Sequence, residues 1–456
     1  MTALAYQRGT NVIAALVMVL VAAVICAASA APRAGDVQID VQQVADGAVR
    51  IQYIFSKPRR VLHFRDVPNG YRERRWTIET VGFQLIREEH GDRIVRGDGT
   101  RFQRVTIIAR PDLVRMRKNY QPLAHYGDDG LLLYTGHFWP VTRHDKRTNA
   151  KFSFVPVPEA KVVAFGERVD KLTDWRSPMA HPAFVYMGPV KPTETQDALA
   201  LVDPAAPNWI REEFNTLAPA TFEFLRDAFQ FSHENKPNVF LSAPRGPDDG
   251  RLNFSGDALP LQFQITLDGS AWKTPSDKSL STFRHSTIHE IVHLWQAEAR
   301  PRTKEDAPWI HEGGADAIAA EAMVRLGYWD TTARLIYFQR AKSECARKLK
   351  SGSLENASAR GDYRAFYACG HIIAIAVSRA DGTTVSEFWR TFIEAAKADG
   401  GYSKSLYFRF IEGRVPDSAF NETLRLFVAT PHGDPAKAIE QLFAKTATQL
   451  APGGGG

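Results

Sequence analysis

Two periodicities divide this chain. From residue 36 to about 195, apolar and polar positions alternate, as in Val37, Ile39 and Val41, and again in Val49, Ile51, Tyr53 and Phe55. A period of two turns one face of a strand towards a core. Turn-forming runs separate these stretches: Pro68-Asn69-Gly70, Gly97-Asp98-Gly99 and Gly127-Asp128-Asp129-Gly130. The pattern predicts an antiparallel sandwich or saddle. Further on, residues 220–231 take helical spacing through Phe222, Leu225 and Phe229. Asn238–Leu241 predicts a short strand, and residues 261–267 alternate again. From Thr282 the apolar positions recur at three and four, through residues 318–326, 333–349, 366–377, 388–396 and 420–428, with a last helix over 435–447. The predicted class is α+β: an N-terminal antiparallel β domain, a mixed central domain and a C-terminal helical lobe.

The polar run Lys191-Pro192-Thr193-Glu194-Thr195, followed by Pro204 and Pro207, marks a boundary near residue 195. The expected division is a signal segment over 1–30, the β domain over 36–195, the central domain over 196–395, C-terminal helices over 396–450 and a flexible glycine tail over 451–456. The signal reading rests on Arg8, the apolar run Val12–Ile25 and Ala28-Ser29-Ala30, with cleavage after Ala30. It makes the mature protein periplasmic or secreted; the alternative is an uncleaved membrane anchor. No other run is apolar enough to cross a bilayer, so no stable membrane insertion is expected after cleavage. Net charge is +6, with pI about 9.1. The basic residues are scattered and form no block, which argues against a nucleic-acid partner. Export permits a disulfide between Cys345 and Cys369, which fall on predicted helices flanking the Ser351–Gly361 loop. A bridge and two buried thiols both remain open at this point.

The chemistry concentrates between His285 and Asp316. His289-Glu290-Ile291-Val292-His293 is an H-E-x-x-H pattern. On a helix its histidines share a face and can hold one metal ion. Catalytic zinc takes three protein ligands and keeps a position for water. The third candidate is Glu312, with eighteen residues between it and His293. Pro301 breaks the first helix and Pro308 starts the next, so the chain can turn back. The expected centre is one Zn2+ held by His289, His293 and Glu312, with Glu290 as general base. Asp316, one turn past Glu312, is placed to accept a hydrogen bond from the outward N–H of a ligand histidine. His285 shares the ligand face but would close the site as a fourth ligand, so a supporting or surface role is expected. His311 should point elsewhere on its helix, and His371 reads as a core or cleft-wall residue. His125, His137 and Trp139 read as ordinary sheet residues or cleft edges.

H-E-x-x-H, eighteen residues and then Glu within Trp309-x-x-Glu312-Gly313 resembles the gluzincin metallopeptidases of the aminopeptidase N and glycyl-aminopeptidase types. Asp316, four residues after Glu312, resembles the glycyl-aminopeptidase type and thermolysin in particular. The resemblance covers roughly residues 220 to 395. It implies a thermolysin-like catalytic domain, zinc-dependent hydrolysis, and a peptide or protein substrate. It further implies that the 261–267 strand lies along the upper rim of the cleft. Tyr367-Ala368-Cys369-Gly370 has the Y-x-x-G form that carries the oxyanion-stabilising tyrosine in aminopeptidase N relatives, with Tyr363 as the rival. The sequence departs from the family at the strand written G-x-M-E-N or G-G-L-E-H, whose glutamate holds the substrate's amino terminus. In Gly256-Asp257-Ala258-Leu259-Pro260, Leu259 stands at that position, and Asp257 offers only a shorter carboxylate from a different place. Aminopeptidase and endopeptidase activity both stay open. The alternative function is a catalytically inactive, peptide-binding relative, against which the presence of Glu290 argues.

Overall fold

The computed structural model describes residues 37–446 except 45–46, 113–119, 128, 178–180, 244–248 and 300–306. The expected signal segment, Asp128, Pro301 and the glycine tail lie outside the described residues.

The N-terminal third is strand-rich, as the alternation predicts. Strands β1 (Val37–Gln43), β2 (Val49–Arg59), β4 (Trp76–Ile78), β7 (Phe102–Ala109), β10 (Ala150–Val155) and β13 (Leu172–Trp175) form one sheet in the order β13-β10-β1-β2-β7-β4. Its pairings are antiparallel except that β1 runs parallel to β10. A second sheet contains β8 (Leu123–His125), β9 (Leu131–Tyr134), β11 (Lys161–Ala164), β12 (Glu167–Val169) and β14 (Phe184–Gly188). A small third sheet joins β3 (Val61–Arg65), β5 (Phe83–Glu88) and β6 (Gly91–Arg96). The inward residues of β1 and β2 meet Phe138, Trp139, Leu131, Leu133 and Val185 in one core. β9 and β14 are buried on both faces. Their other face packs on the next domain through Tyr126, Tyr186, Phe184, Leu201 and Phe240.

The central sheet has the order β15-β16-β17-β19-β18, from β15 (Thr193–Glu194), β16 (Leu199–Val202), β17 (Asn238–Ser242), β18 (Asn253–Leu259) and β19 (Gln262–Asp268). Parallel β16, β17 and β19 lie in the interior, and antiparallel β18 forms one edge. This corrects the expectation for residues 261–267: β19 is an inner strand whose first four residues are buried. The edge belongs to β18, and the alternation in β19 reflects two chemically different buried faces. Gln262 shows why a polar residue sits there. Its side-chain amide accepts from the Phe184 backbone N–H and donates to the Phe184 carbonyl, both at 2.8 Å. That clamp fixes the central sheet against the N-terminal domain. The polar run expected as a linker also enters this sheet, as the two residues of β15.

Helices make up the rest. A short α1 (Tyr71–Arg75) precedes α2 (Asn208–Phe229), α3 (Asp277–Gln296), α4 (Pro308–Arg325), α5 (Thr331–Leu349), α6 (Arg364–Asp381), α7 (Val385–Ala398), α8 (Lys404–Arg414), α9 (Ser418–Ala429) and α10 (Pro435–Ala444). α2 begins well before the predicted residue 220. Ile210, Phe214 and Leu217 extend the stripe of Phe222, Leu225 and Phe229, and Pro219 is accommodated within it. The sequence pattern did not predict α8; Leu406, Tyr407, Phe408 and Ile411 are its buried residues and Ser403 caps it. Cys345 of α5 and Cys369 of α6 are joined in a disulfide, with Cα atoms 4.8 Å apart. No helix among the described residues is long and apolar enough to cross a membrane.

Candidate metal centre

α3 carries the H-E-x-x-H pattern, and its start is set locally. Ser276 accepts from the Ser279 backbone N–H at 3.1 Å, while the Ser276 N–H donates to Ser279 Oγ at 2.8 Å. This reciprocal cap satisfies two end groups that would otherwise lack partners. One face of α3 buries Phe283, Ile288, Ile291, Val292 and Trp295 in the core. The core fixes the helix rotation, and the polar stripe through His285, His289 and His293 faces α4 and α6. α4 starts with Pro308 at its first turn, as predicted, and its buried Trp309 and Ile310 orient Glu312 towards α3.

The three predicted ligands converge. Nε2 of His289 lies 3.1 Å from Nε2 of His293 and 3.2 Å from Oε2 of Glu312. His293 Nε2 to Glu312 Oε2 is 3.4 Å. A tetrahedral zinc with ligand bonds of about 2.0–2.1 Å requires its donor atoms to stand about 3.3 Å apart. The three edges of this triangle match that requirement, and among the described residues this is the one cluster so arranged. Two neutral imidazoles and a carboxylate suit a borderline-soft divalent ion. The electrostatics agree. Burial disfavours charge on His293, but the hydrogen bond and charge of Glu312 outweigh it and raise His293 to about 9. Burial likewise opposes ionisation of Glu312, yet the two histidines hold its carboxyl well below the usual range. The triad is thus a pocket that attracts positive charge.

The layer behind the ligands differs from the expectation. His293 Nδ1–H donates to Gln296 Oε1 at 2.8 Å, and Gln296 Nε2 donates to the His311 carbonyl at 3.1 Å. Gln296 therefore fixes the tautomer that leaves Nε2 facing the other donors. Gln296 was not singled out from sequence, although a glutamine three residues after a candidate ligand histidine is a readable signal. Asp316 does not support a ligand histidine through the expected hydrogen bond. Its oxygens accept from the Tyr337 hydroxyl at 2.8 and 3.0 Å and from His371 Nδ1 at 2.8 Å. These partners lie on α5 and α6, beyond the reach of local spacing. His285 Nε2 lies 3.8 Å from Asp316, and its ring stacks on Trp329. It stays outside the triad, in the supporting layer. His311 corrects another expectation: it remains beside the site, with Nε2 3.7 Å from Glu312 and Nδ1 2.8 Å from the Tyr402 hydroxyl. Burial lowers His311 to about 4, so it is neutral there. His137 and Trp139 are interior residues of the β domain.

Glu290 is held over the triad by close packing. A Cβ built on Gly256 of β18 would overlap the Glu290 carboxyl group, so the edge strand can lie this close only with glycine. Burial pushes the Glu290 carboxyl up, against the pull of His289 and His293. Tyr367 stacks on His289 with ring centroids 5.4 Å apart. Burial, then the Glu312 and Glu290 carboxylates, push its hydroxyl far up, so it remains a donor. A helix crossing brings it there. A Cβ on Gly313 or Gly370 would strike the backbone of the facing helix, so α4 and α6 touch at this pair. Tyr367 lies one turn before that contact. The rival Tyr363 is at the mouth of α6, its ring against Phe366.

The rim answers the question raised by the missing anchor. Leu259, at the end of β18, packs into the cluster that joins the two domains. Its position serves packing here. Asp257 stands beside Gly256, and its charge acts on Tyr120 and Tyr134 of the N-terminal domain. Tyr120 was not singled out from sequence. Its hydroxyl is 3.5 Å from the Ala258 carbonyl, and Glu290 and Glu312 also act on it. No local pattern around Tyr120 signals that role, because only the domain contact brings it to the cleft.

No protein-family model matches the sequence, and no curated protein does. Solved structures do share the fold. An aminopeptidase N family protein from Idiomarina loihiensis aligns with a TM-score of 0.61 at 11% identity, over 89% of this chain and 78% of that one. Yeast LTA4 hydrolase in complex with bestatin aligns at 0.50 and 13% identity, over 88% and 68%. A mutant M1 zinc metallopeptidase from Deinococcus radiodurans, bound to a Tyr-Ser-Ala substrate, aligns at 0.50 and 13%, over 87% and 93%. The chain thus has the fold of the M1 zinc metallopeptidases, in agreement with the resemblance and with the α+β class read from the sequence.

Proposed function

We propose that this protein is an exported zinc peptidase that hydrolyses peptide bonds with one zinc ion held by His289, His293 and Glu312. The observation that carries the reading is the triangle of donor atoms at 3.1, 3.2 and 3.4 Å with Glu290 poised over it. Zinc held there supplies Lewis acidity to the attacking water and to the substrate carbonyl. Glu290 takes the water's proton and later delivers it to the leaving amine. The Tyr367 hydroxyl donates to the oxygen on which negative charge develops. Gln296 holds the His293 ring in place, and Asp316 holds Tyr337 and His371 in the layer behind. With Leu259 committed to packing, the usual amino-terminal anchor is absent from its place, and N-blocked peptides are accepted as well as free ones.

The test is one plate. Purified protein is assayed on fluorogenic peptides with free and blocked amino termini, with and without a chelator. The proposal expects cleavage that the chelator abolishes and zinc restores, on both substrate types. Zinc bound at unit stoichiometry with no peptide cleaved would instead favour a peptide-binding protein.

A further inference from the structure

Three consecutive residues tie α6 to its neighbours. Cys369 is bonded to Cys345 of α5, Gly370 lies against Gly313 of α4, and His371 Nδ1–H donates to Asp316 Oδ2 of α4 at 2.8 Å. Residues four apart on a helix lie one above the other. His371 therefore shares a face of α6 with Tyr367, and Asp316 shares a face of α4 with Glu312. The two helices meet in two rungs, one turn apart: Glu312 with Tyr367, and Asp316 with His371. The rungs differ in burial. Tyr367 is 40% exposed, whereas His371 and Asp316 are 2% and 7% exposed. Tyr337 of α5 closes the buried rung, its hydroxyl donating to both Asp316 oxygens at 2.8 and 3.0 Å.

We infer that His371 is a positioning residue: its bond to Asp316 sets the rotation of α6 that keeps the Tyr367 ring against His289 and its hydroxyl beside the metal triad. The kinetic consequence rests on the peptidase reading above; the geometry does not. Helix packing ordinarily fixes rotation through side-chain ridges seated in grooves. A pair of glycines brings two backbones together without such ridges, so the Gly313–Gly370 contact sets how close α4 and α6 lie and leaves their rotation to other groups. The Cys345–Cys369 bridge fixes the separation of α5 and α6. The buried bond from His371 to Asp316 fixes which way the Tyr367 face points, because the carboxylate is itself held by Tyr337. The Tyr367 hydroxyl ends a long side chain, so a small turn of the helix is amplified there. A misplacement of about 1 Å at a reacting centre costs on the order of a hundredfold in rate.

The test is a double-variant cycle on the full zinc-loaded chain, with the same fluorogenic peptides as probes. His371→Leu removes the donor, and kcat is expected to fall about ten- to a hundredfold while KM stays within about twofold and zinc content stays at one ion. His371→Asn places an amide N–H where Nδ1 stood and should return kcat to within about threefold of wild type. In a Tyr367→Phe background, His371→Leu should cost nothing more, because the hydroxyl it positions is gone. A further loss of the same size in that background, or wild-type kcat in His371→Leu alone, overturns the inference. Should His371→Leu fail to fold, Tyr337→Phe, which deletes only a hydroxyl from the same rung, carries the same cycle with a smaller loss. Crystal structures of wild type and variant separate this from failure of the peptidase reading. If no peptide is hydrolysed, a Tyr367 ring displaced in the variant from its 5.4 Å stack on His289 upholds the positioning role and removes the hydrolysis. A ring that keeps that stack removes the positioning role.

Discussion

Glu290 and the groups around it define the residue scale. Glu290→Gln keeps the ligands and removes the base, so turnover should fall about a hundred- to ten-thousandfold while zinc content stays at one ion. Tyr367→Phe should cost about a hundred- to a thousandfold in kcat with zinc again retained. Both are read by steady-state kinetics beside metal analysis, and near-normal turnover would remove the residue concerned from the mechanism. Gly256→Ala acts without touching a ligand: its methyl occupies the space of the Glu290 carboxyl, so activity should drop while zinc affinity holds. Asp316 gives a pH signature. Burial opposes its charge, but His285 and His371 hold it at about 2 against an ordinary 3.8. Its folded pKa is depressed, so its stabilisation is complete above the unfolded value and is lost as pH falls through about 2. Asp316→Asn should cost roughly 2 kcal/mol at pH 5, and the gap should shrink to about half by pH 3. Urea unfolding at a series of pH values measures it. The convergence of His289, His293 and Glu312 was legible because spacing on a helix and a proline-marked return are local facts. The partners of Asp316, and the place of Tyr120, were not legible, because other helices and another domain deliver them.

Among the elements, the contact of α4 and α6 does the positioning. Gly313 and Gly370 sit where any side chain would strike the opposite backbone, which gives Glu312-Gly313 and the Y-x-x-G run a packing reason. Gly370→Ala should therefore separate the helices, destabilise the fold by about 1–3 kcal/mol and lower kcat through misplacement of Tyr367. Thermal melts with kinetics on the folded fraction check both effects. The disulfide closes a loop of sequence separation 24 between α5 and α6. The pair Cys345→Ser/Cys369→Ser should cost about 3 kcal/mol, read by denaturant unfolding in the absence of reductant. Helical periodicity exposed most of these elements. It missed α8, where Leu406, Tyr407 and Phe408 are consecutive and blur a period of 3.6, and it cut α2 short of its first twelve residues, which include Pro219. β19 misled for a different reason: Gln262 and Gln264 are polar yet buried, so alternation did not mean a solvent face.

The whole molecule joins a strand-rich N-terminal region to the half that carries the His289–His293–Glu312 triad across a packed seam of Tyr126, Tyr186, Phe240 and Leu259, locked by the Gln262–Phe184 clamp. That seam brings Tyr120 to the cleft and holds Leu259 in its packing. The overall class was legible from the switch of period along the chain; the seam was not, because its residues are scattered over both halves of the sequence. The proposed function places one zinc ion at the His289–His293–Glu312 triangle. The most direct measurement is anomalous diffraction at the zinc edge from crystals of the zinc-loaded protein. The account predicts a single peak bonded to Nε2 of His289, Nε2 of His293 and Oε2 of Glu312, with the fourth position held by solvent. A peak elsewhere, or a fourth protein ligand closing the site, would contradict it.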